Sequence, residues 1–220
     1  MCGRYTLAKP IKTLKDHFKP VSVELAHKER FNIAPSQEAP VVVSVDGKRH
    51  LRSLKWGLIP HWAKDLKTAN PQINARAETV HEKPTFKDSF KTRRCLIPAD
   101  GFVEWAQKGD KKVPHYILLK TGVLFAFAGI WSEWNKNRTP LLTYSILTIE
   151  ANSLLKAIHH RMPVILPPDK YDLWLDPSTD HESLRSLLRP FSPDEMKTHI
   201  ISKDINSPKN DSPECLAPVQ

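Results

Sequence analysis

Apolar residues at Ile11, Leu14 and Phe18 fall on one face of a two-turn helix over 11–18. Beyond it the pattern shifts to short β-branched or alternating runs. Ala39–Val45 and His50–Trp56 read as two strands joined at Asp46-Gly47, a dipeptide that favours a tight hairpin. Arg93–Trp105 reads as a strand, a turn at Asp100-Gly101 and a second strand. Further strands are expected at His115–Lys120, Val123–Trp131, Leu141–Ile149, Val164–Leu166 and Thr198–Ser202. Helices are expected at Ala151–Ile158, from Pro167-Pro168 to about Leu175, and at His181–Leu188. Consecutive strands with short connections favour an antiparallel, partly closed sheet. The fold class this predicts is α+β, a single mixed domain over 1–205 with peripheral helices. From Asn206 onward Ser, Pro, Lys and Asn dominate, and 206–220 reads as a flexible C-terminal tail.

Composition narrows the class. The chain has 220 residues, 40% of them hydrophobic, enough for one sizeable core. No run of about eighteen apolar residues occurs, so no membrane span is expected. No basic-then-apolar leader opens the chain, so export is not expected either. The three cysteines, Cys2, Cys95 and Cys215, are odd in number and scattered, which argues for a reducing compartment and against a disulfide framework. No paired Cys or His spacing suits a structural metal, and neither metal nor cofactor is expected. The net charge of +9 suits a polyanionic partner, nucleic acid first, or else simply a basic soluble surface.

The candidate chemistry begins at Met1-Cys2-Gly3-Arg4-Tyr5. An initiator Met before a small residue is normally trimmed, which leaves a free amine and a free thiol on Cys2. Their reference pKa values of about 7.7–8.0 and about 8.5 leave both partly deprotonated near neutrality. An amine condenses with an aldehyde to an imine, and a thiol on the same frame can close a five-membered ring. Otherwise Cys2 is an ordinary residue at a frayed end.

Other stretches are ambiguous in the same way. Trp56–Trp62, with two tryptophans, a Gly and a Pro, reads as a loop, with Trp56 in the core and Trp62 on the surface. Trp62 could serve as a stacking platform for unpaired bases. Asn74 and Arg76 alternate with alanines and face one way on an extended chain, suited to a phosphate or to a bare sheet edge. Lys83–Arg94 holds five basic residues, a solvated face or part of a backbone-binding track. Asn32, before the Pro35 turn, is placed to brace backbone. Cys95 lies among apolar neighbours as a buried thiol. Glu104, between Val103 and Trp105, either alternates out to solvent or is a buried acid with a tuned pKa.

Seven of these stretches, in order, carry a family resemblance. They are MCGRY at the start, FNIAP at 31–35, WGLIPHW at 56–62, NARAET at 74–79, RRCLIPADGFVEW at 93–105, FAGIW at 127–131 and IHHRMPVIL at 158–166. The chain resembles the SOS-response-associated peptidase family, the abasic-site processing proteins. The resemblance implies a domain built on a β-barrel-like sheet and covalent capture of abasic sites in single-stranded DNA. It places the nucleophile at Cys2 and the other active-site groups at Asn74, Glu104 and His159. It places DNA contacts at Arg4, Arg76 and Trp62, with Lys83 standing where relatives carry an arginine. Lys keeps the charge and loses the bidentate fork.

The implied reaction is imine formation at C1′ by the Cys2 amine, then closure to a thiazolidine by its thiol. Weak lyase or autoproteolytic activity is compatible with the same groups. Two other readings stay open: a cysteine peptidase, and a non-catalytic single-strand binder. A monomer is expected, in the bacterial cytoplasm or a eukaryotic nucleus.

Overall fold

The computed structural model describes residues 2–66, 68–136 and 139–219; Met1 lies outside them. Its strands are β1 (Arg4–Leu7), β2 (Ser22–Glu24), β3 (Arg30–Ile33), β4 (Glu38–Val45), β5 (Lys48–Trp56), β6 (Asn74–Arg76) and β7 (Arg94–Ala99). They continue with β8 (Gly101–Lys108), β9 (Lys111–Leu119), β10 (Phe125–Trp134), β11 (Leu141–Glu150), β12 (Arg161–Pro163), β13 (Ile165–Leu166) and β14 (Met196–Ile200). The helices are α1 (Ile11–Phe18), α2 (Lys87–Thr92), α3 (Ser153–Lys156), α4 (Tyr171–Leu175) and α5 (His181–Leu187). Helix α1 buries Leu14 and Phe18 and stops at Lys19, whose φ of 48° breaks the helical path.

The expected hairpin forms, with β4 and β5 paired antiparallel from Glu38↔Lys55 to Val45↔Lys48. Strand β7 pairs with β4 and with β10, and β10 with β11. A short parallel contact between β11 and β5, Thr143↔Lys55 and Tyr144↔Trp56, joins the two ends. The five strands β4, β5, β11, β10 and β7 therefore close into a ring. The α+β, largely antiparallel, barrel-like architecture stands. Ring closure removes two exposed sheet edges.

Aromatic side chains fill the space between the ring and the smaller sheet. That sheet runs β14-β9-β8-β1-β3. Tyr5 from β1 reaches across it: its hydroxyl lies 2.7 Å from that of Tyr144 on β11, both fully buried. Trp56 stacks on Tyr144 and meets Tyr5 edge-on at 5.2 Å. Its indole N–H donates to the Ile73 carbonyl at 2.8 Å. Trp56 is a core residue, as its sequence setting suggests. Arg94, expected among solvated basic residues, is buried; it donates to the carbonyls of Trp174, Phe90, Lys91 and Asp176 and so ties α2 and α4 to β7.

Asp100-Gly101 is not a hairpin turn. It is a corner that carries the chain from the ring (β7) into the smaller sheet (β8). The Asp100 carboxylate accepts from the Thr6 hydroxyl and, at 2.9 Å, from the Ala8 N–H, fastening β1 beside the corner. At Gly101 an added Cβ would run into the Tyr116 ring, so the close approach requires glycine. This corner sets the register that places Val103 opposite Arg4.

Two further expectations need correction. The α-helix expected at 151–158 spans only Ser153–Lys156, capped by Asn152, whose side chain accepts from the Leu155 N–H. The chain leaves the helix before His159 because Arg161–Pro163 must pair with β11. The segment from Asn206 is also not loose. It forms short 3₁₀ turns at Lys203–Asn206 and Pro213–Leu216, and Cys215 is buried beside Val103, Tyr116 and Ile205. Its polar composition hides how it is held: through backbone carbonyls bonded to the buried Asn32 amide.

Gly101→Ala should lower stability by about 1–3 kcal/mol, the usual penalty of overpacking. Urea unfolding checks this; an unchanged midpoint would mean that β8 can draw away from Tyr116 at no cost.

Candidate active site

Strand β1 lies between β8 and β3, so the residues just before it are held by pairing on both sides. Cys2 is fully buried. Its carbonyl accepts from the Asn74 side-chain amide at 2.9 Å, and its thiol lies 3.6 Å from the Arg4 carbonyl. Asn74 stands on β6, which lies parallel to β11 with Asn74 opposite Ile146. The other end of that amide, Oδ1, is buried and takes no hydrogen bond among the described residues. An acceptor is thus left over beside Cys2. Burial, and next to it the charge of Glu104, pushes the Cys2 thiol well above its ordinary pKa.

Glu104 resolves in favour of the buried alternative. It is 2% exposed on β8, and desolvation raises its pKa to about 7. A carboxyl at that value exchanges a proton readily at neutral pH.

His159 sits in the connection between α3 and β12. Its Nδ1 lies 3.0 Å from the Arg161 backbone nitrogen and 3.2 Å from the Arg161 carbonyl, so the backbone of that residue holds this edge of the ring. Burial lowers its pKa, so the ring is neutral at physiological pH. Its neighbour His160 stacks on it at 4.4 Å. Arg161 is held in turn by Glu78, with contacts of 2.6 and 2.8 Å to the two carboxylate oxygens.

Arg4, Glu104, Trp105, Lys112, His159 and Asn206 help wall an open cleft of about 830 Å³. Three of the expected residues therefore meet there: Arg4, Glu104 and His159. Cys2 and Asn74 adjoin it through the Cys2–Arg4 and Asn74–Cys2 contacts. Arg76 is exposed at the end of β6, opposite Thr148, and is not part of the cleft wall. Trp62 and Lys83 lie on another pair of loops. Trp62 is 51% exposed and its indole donates to the Pro84 carbonyl at 3.4 Å, beside Lys83. A separate hollow of about 420 Å³, partly walled by Glu78, His81, Phe90 and His181, holds none of the expected site residues. Among the described residues no three His, Cys, Asp or Glu side chains cluster to hold a metal. No helix among them is long and apolar enough to cross a membrane.

Sequence reasoning passed over Glu78, Arg161, Trp105 and Asn206. Glu78 and Arg161 lie in the same short motifs as Asn74 and His159, which was the available signal. Nothing local marks Asn206.

Comparison with known proteins is consistent along the whole chain. The SOS response associated peptidase (SRAP) family profile matches residues 1–208. The Bacillus subtilis abasic site processing protein YoqW is 43% identical, covering 98% of this chain and 99% of its own. The Gallus gallus abasic site processing protein HMCES is 32% identical, covering 88% of this chain and 67% of its own. A crystal structure of a Bacteroides thetaiotaomicron protein superposes with a TM-score of 0.88 at 28% identity, covering all of both chains.

The native state holds the Glu104 proton up to about pH 7, whereas the unfolded chain releases it near 4.5. The native state thus binds more protons in between, and through this group stability falls as pH rises across that window. Glu104→Gln should remove the slope. Relative to wild type, its stability should rise by on the order of 3 kcal/mol between pH 4.5 and pH 8. Parallel pH profiles for the two proteins, read from urea midpoints, would place the Glu104 pKa near its ordinary value.

Proposed function

This chain belongs to the SOS response associated peptidase family, and from that membership we propose that it processes abasic sites in single-stranded DNA by capturing them covalently on Cys2. The observation that carries the proposal is the pairing of a fixed Cys2 backbone with a buried proton carrier. Asn74 holds the Cys2 carbonyl, and Glu104 carries a pKa near 7 in the adjoining cleft. The names of relatives matched over nearly the full chain support the substrate.

The reaction requires Met1 to be removed, since the Cys2 nitrogen is otherwise a peptide amide. The freed ammonium passes a proton to Glu104, and the amine attacks the C1′ aldehyde of the opened sugar. The carbinolamine loses its hydroxyl as water, using the proton that Glu104 now holds. His159 hydrogen-bonds the sugar oxygen released on ring opening. Asn74 Oδ1 accepts from the amine and keeps its lone pair aimed; such fixed geometry contributes several kcal/mol. The thiol then adds across the C=N bond, sulfur to carbon and hydrogen to nitrogen, closing the thiazolidine. The net change is the loss of one water.

A thiol held above its ordinary pKa suits this order. It remains S–H until the imine is beside it. The same property argues against a peptidase working through Cys2, which needs a thiolate made available by a low pKa. Arg4 and the exposed Arg76 contact phosphates, and Trp62 with Lys83 meets the strand further along. Melting a duplex to reach such surfaces costs stacking energy, which favours single strands.

Two outcomes follow. Glu104→Ala should slow crosslinking by roughly 10²–10⁴-fold without abolishing it, because Cys2 keeps both reactive groups; single-turnover gel assays measure this, and a wild-type rate would remove Glu104 from the chemistry. A chain with one extra residue before Cys2 should still bind abasic DNA yet give no denaturation-resistant band. A stable band from that chain would assign the nucleophile to another group, such as a lysine.

A further inference from the structure

Arg4 is fixed from two directions. One terminal nitrogen donates to the neighbouring Gly3 carbonyl at 2.7 Å, the other to the Asn206 carbonyl at 3.2 Å. The second contact joins the start of the chain to its far end. The side chain of the same Asn206 accepts from the Trp105 indole N–H at 2.9 Å. One exposed residue thus holds two members of the cleft wall, one through its backbone and one through its side chain.

Asn206 is itself held firmly. It ends the 3₁₀ turn Lys203–Asn206, whose start Ser202 caps by accepting from the Asp204 N–H at 3.2 Å. The buried Asn32 amide shares its two N–H groups among the carbonyls of Ile205, Ser207 and Asn210, at 3.1, 3.0 and 2.8 Å. Those carbonyls lie on both sides of Asn206. Asp211 closes the clamp from the other side. Its carboxylate accepts from the Phe31 and Asn32 N–H groups at 2.6 and 2.8 Å and pairs with Arg30. Strand β3, which carries all three, is the pairing partner of β1.

We propose that the segment from Ser202 to Asp211 is a latch for the DNA-binding wall and that Asn206 is its positioning residue, presetting Arg4 for a phosphate. The proposal rests on the reading that the cleft takes DNA. Each terminal nitrogen of Arg4 keeps a second N–H for a phosphate oxygen. An unheld arginine side chain loses rotamer freedom when it binds; one already held loses less, and binding is tighter for it.

The test uses a single-stranded oligonucleotide with a tetrahydrofuran in place of the abasic sugar. It has no aldehyde, so only noncovalent binding is read. Asp211→Ala should weaken binding by about three- to tenfold through lost preorganisation, with the log–log salt slope kept, because Arg4 retains its charge and still reaches the phosphate. Asp211→Asn, which keeps a carbonyl acceptor for the two N–H groups, should lie between it and wild type. In an Arg4→Ala background Asp211→Ala should cost nothing further, because no guanidinium remains to be preset. If Asp211→Ala does not melt cooperatively, Asp211→Asn, which loses the charge paired with Arg30 and keeps an acceptor for the two N–H groups, carries the same comparison. Unchanged affinity in the folded variant, or a full extra loss in the Arg4→Ala background, would overturn the proposal. A failure of the covalent reading would appear separately, as a missing band on true abasic DNA while this comparison still holds.

Discussion

The contact on which the site depends is the hydrogen bond from the Asn74 amide to the Cys2 carbonyl. A chain terminus ordinarily frays, since its last residues have few partners to offset their freedom. Here the first strand is paired on both edges, sealed at its far end by Asp100, and crossed by the Tyr5–Tyr144 hydroxyl pair. Asn74 extends that order one step beyond the strand, to Cys2 itself. It does so from β6, which is attached to the ring and not to the smaller sheet. The two sheets therefore meet at the reactive residue, and packing between them sets its position.

That order has an electrostatic consequence. Placing Cys2 in a buried position beside β8 also buries Glu104, and a buried carboxyl resists ionisation. In a purely structural site this would be a defect that an apolar residue could cure. In a site that must move one proton from an amine to a departing hydroxyl, a carboxyl near pKa 7 is matched to the task. His159 stands on the other wall, its Nδ1 edge held by the Arg161 backbone and its pKa lowered by burial. The Glu78–Arg161 pair steadies the loop that carries it.

What could be read from the sequence was whatever is local. The 39–56 hairpin, helix 11–18 and the burial of Trp56 follow from alternation, a turn dipeptide and helical spacing. Partial closure of the sheet was expected, but the strands that close it could not be read, because the β5–β11 contact joins parallel segments far apart in the chain. Glu104 stayed ambiguous since alternation tells which residues share a face but not which face is covered. The C-terminal segment misled because composition reports apolar content, while this segment is held by backbone carbonyls on one buried asparagine. The site residues came from ordered motifs; no periodicity links Asn74, Glu104 and His159.

The central claim is that amine and thiol of one residue close a ring on the same carbon. Intact-mass analysis of the mature chain joined to a short abasic oligonucleotide, treated with borohydride before measurement, tests it most directly. A closed thiazolidine has no C=N bond to reduce, so the account predicts the summed masses less one water, with no hydrogen gained. An adduct heavier by two hydrogens would reveal an imine left open, and the thiol would then have no part in the linkage.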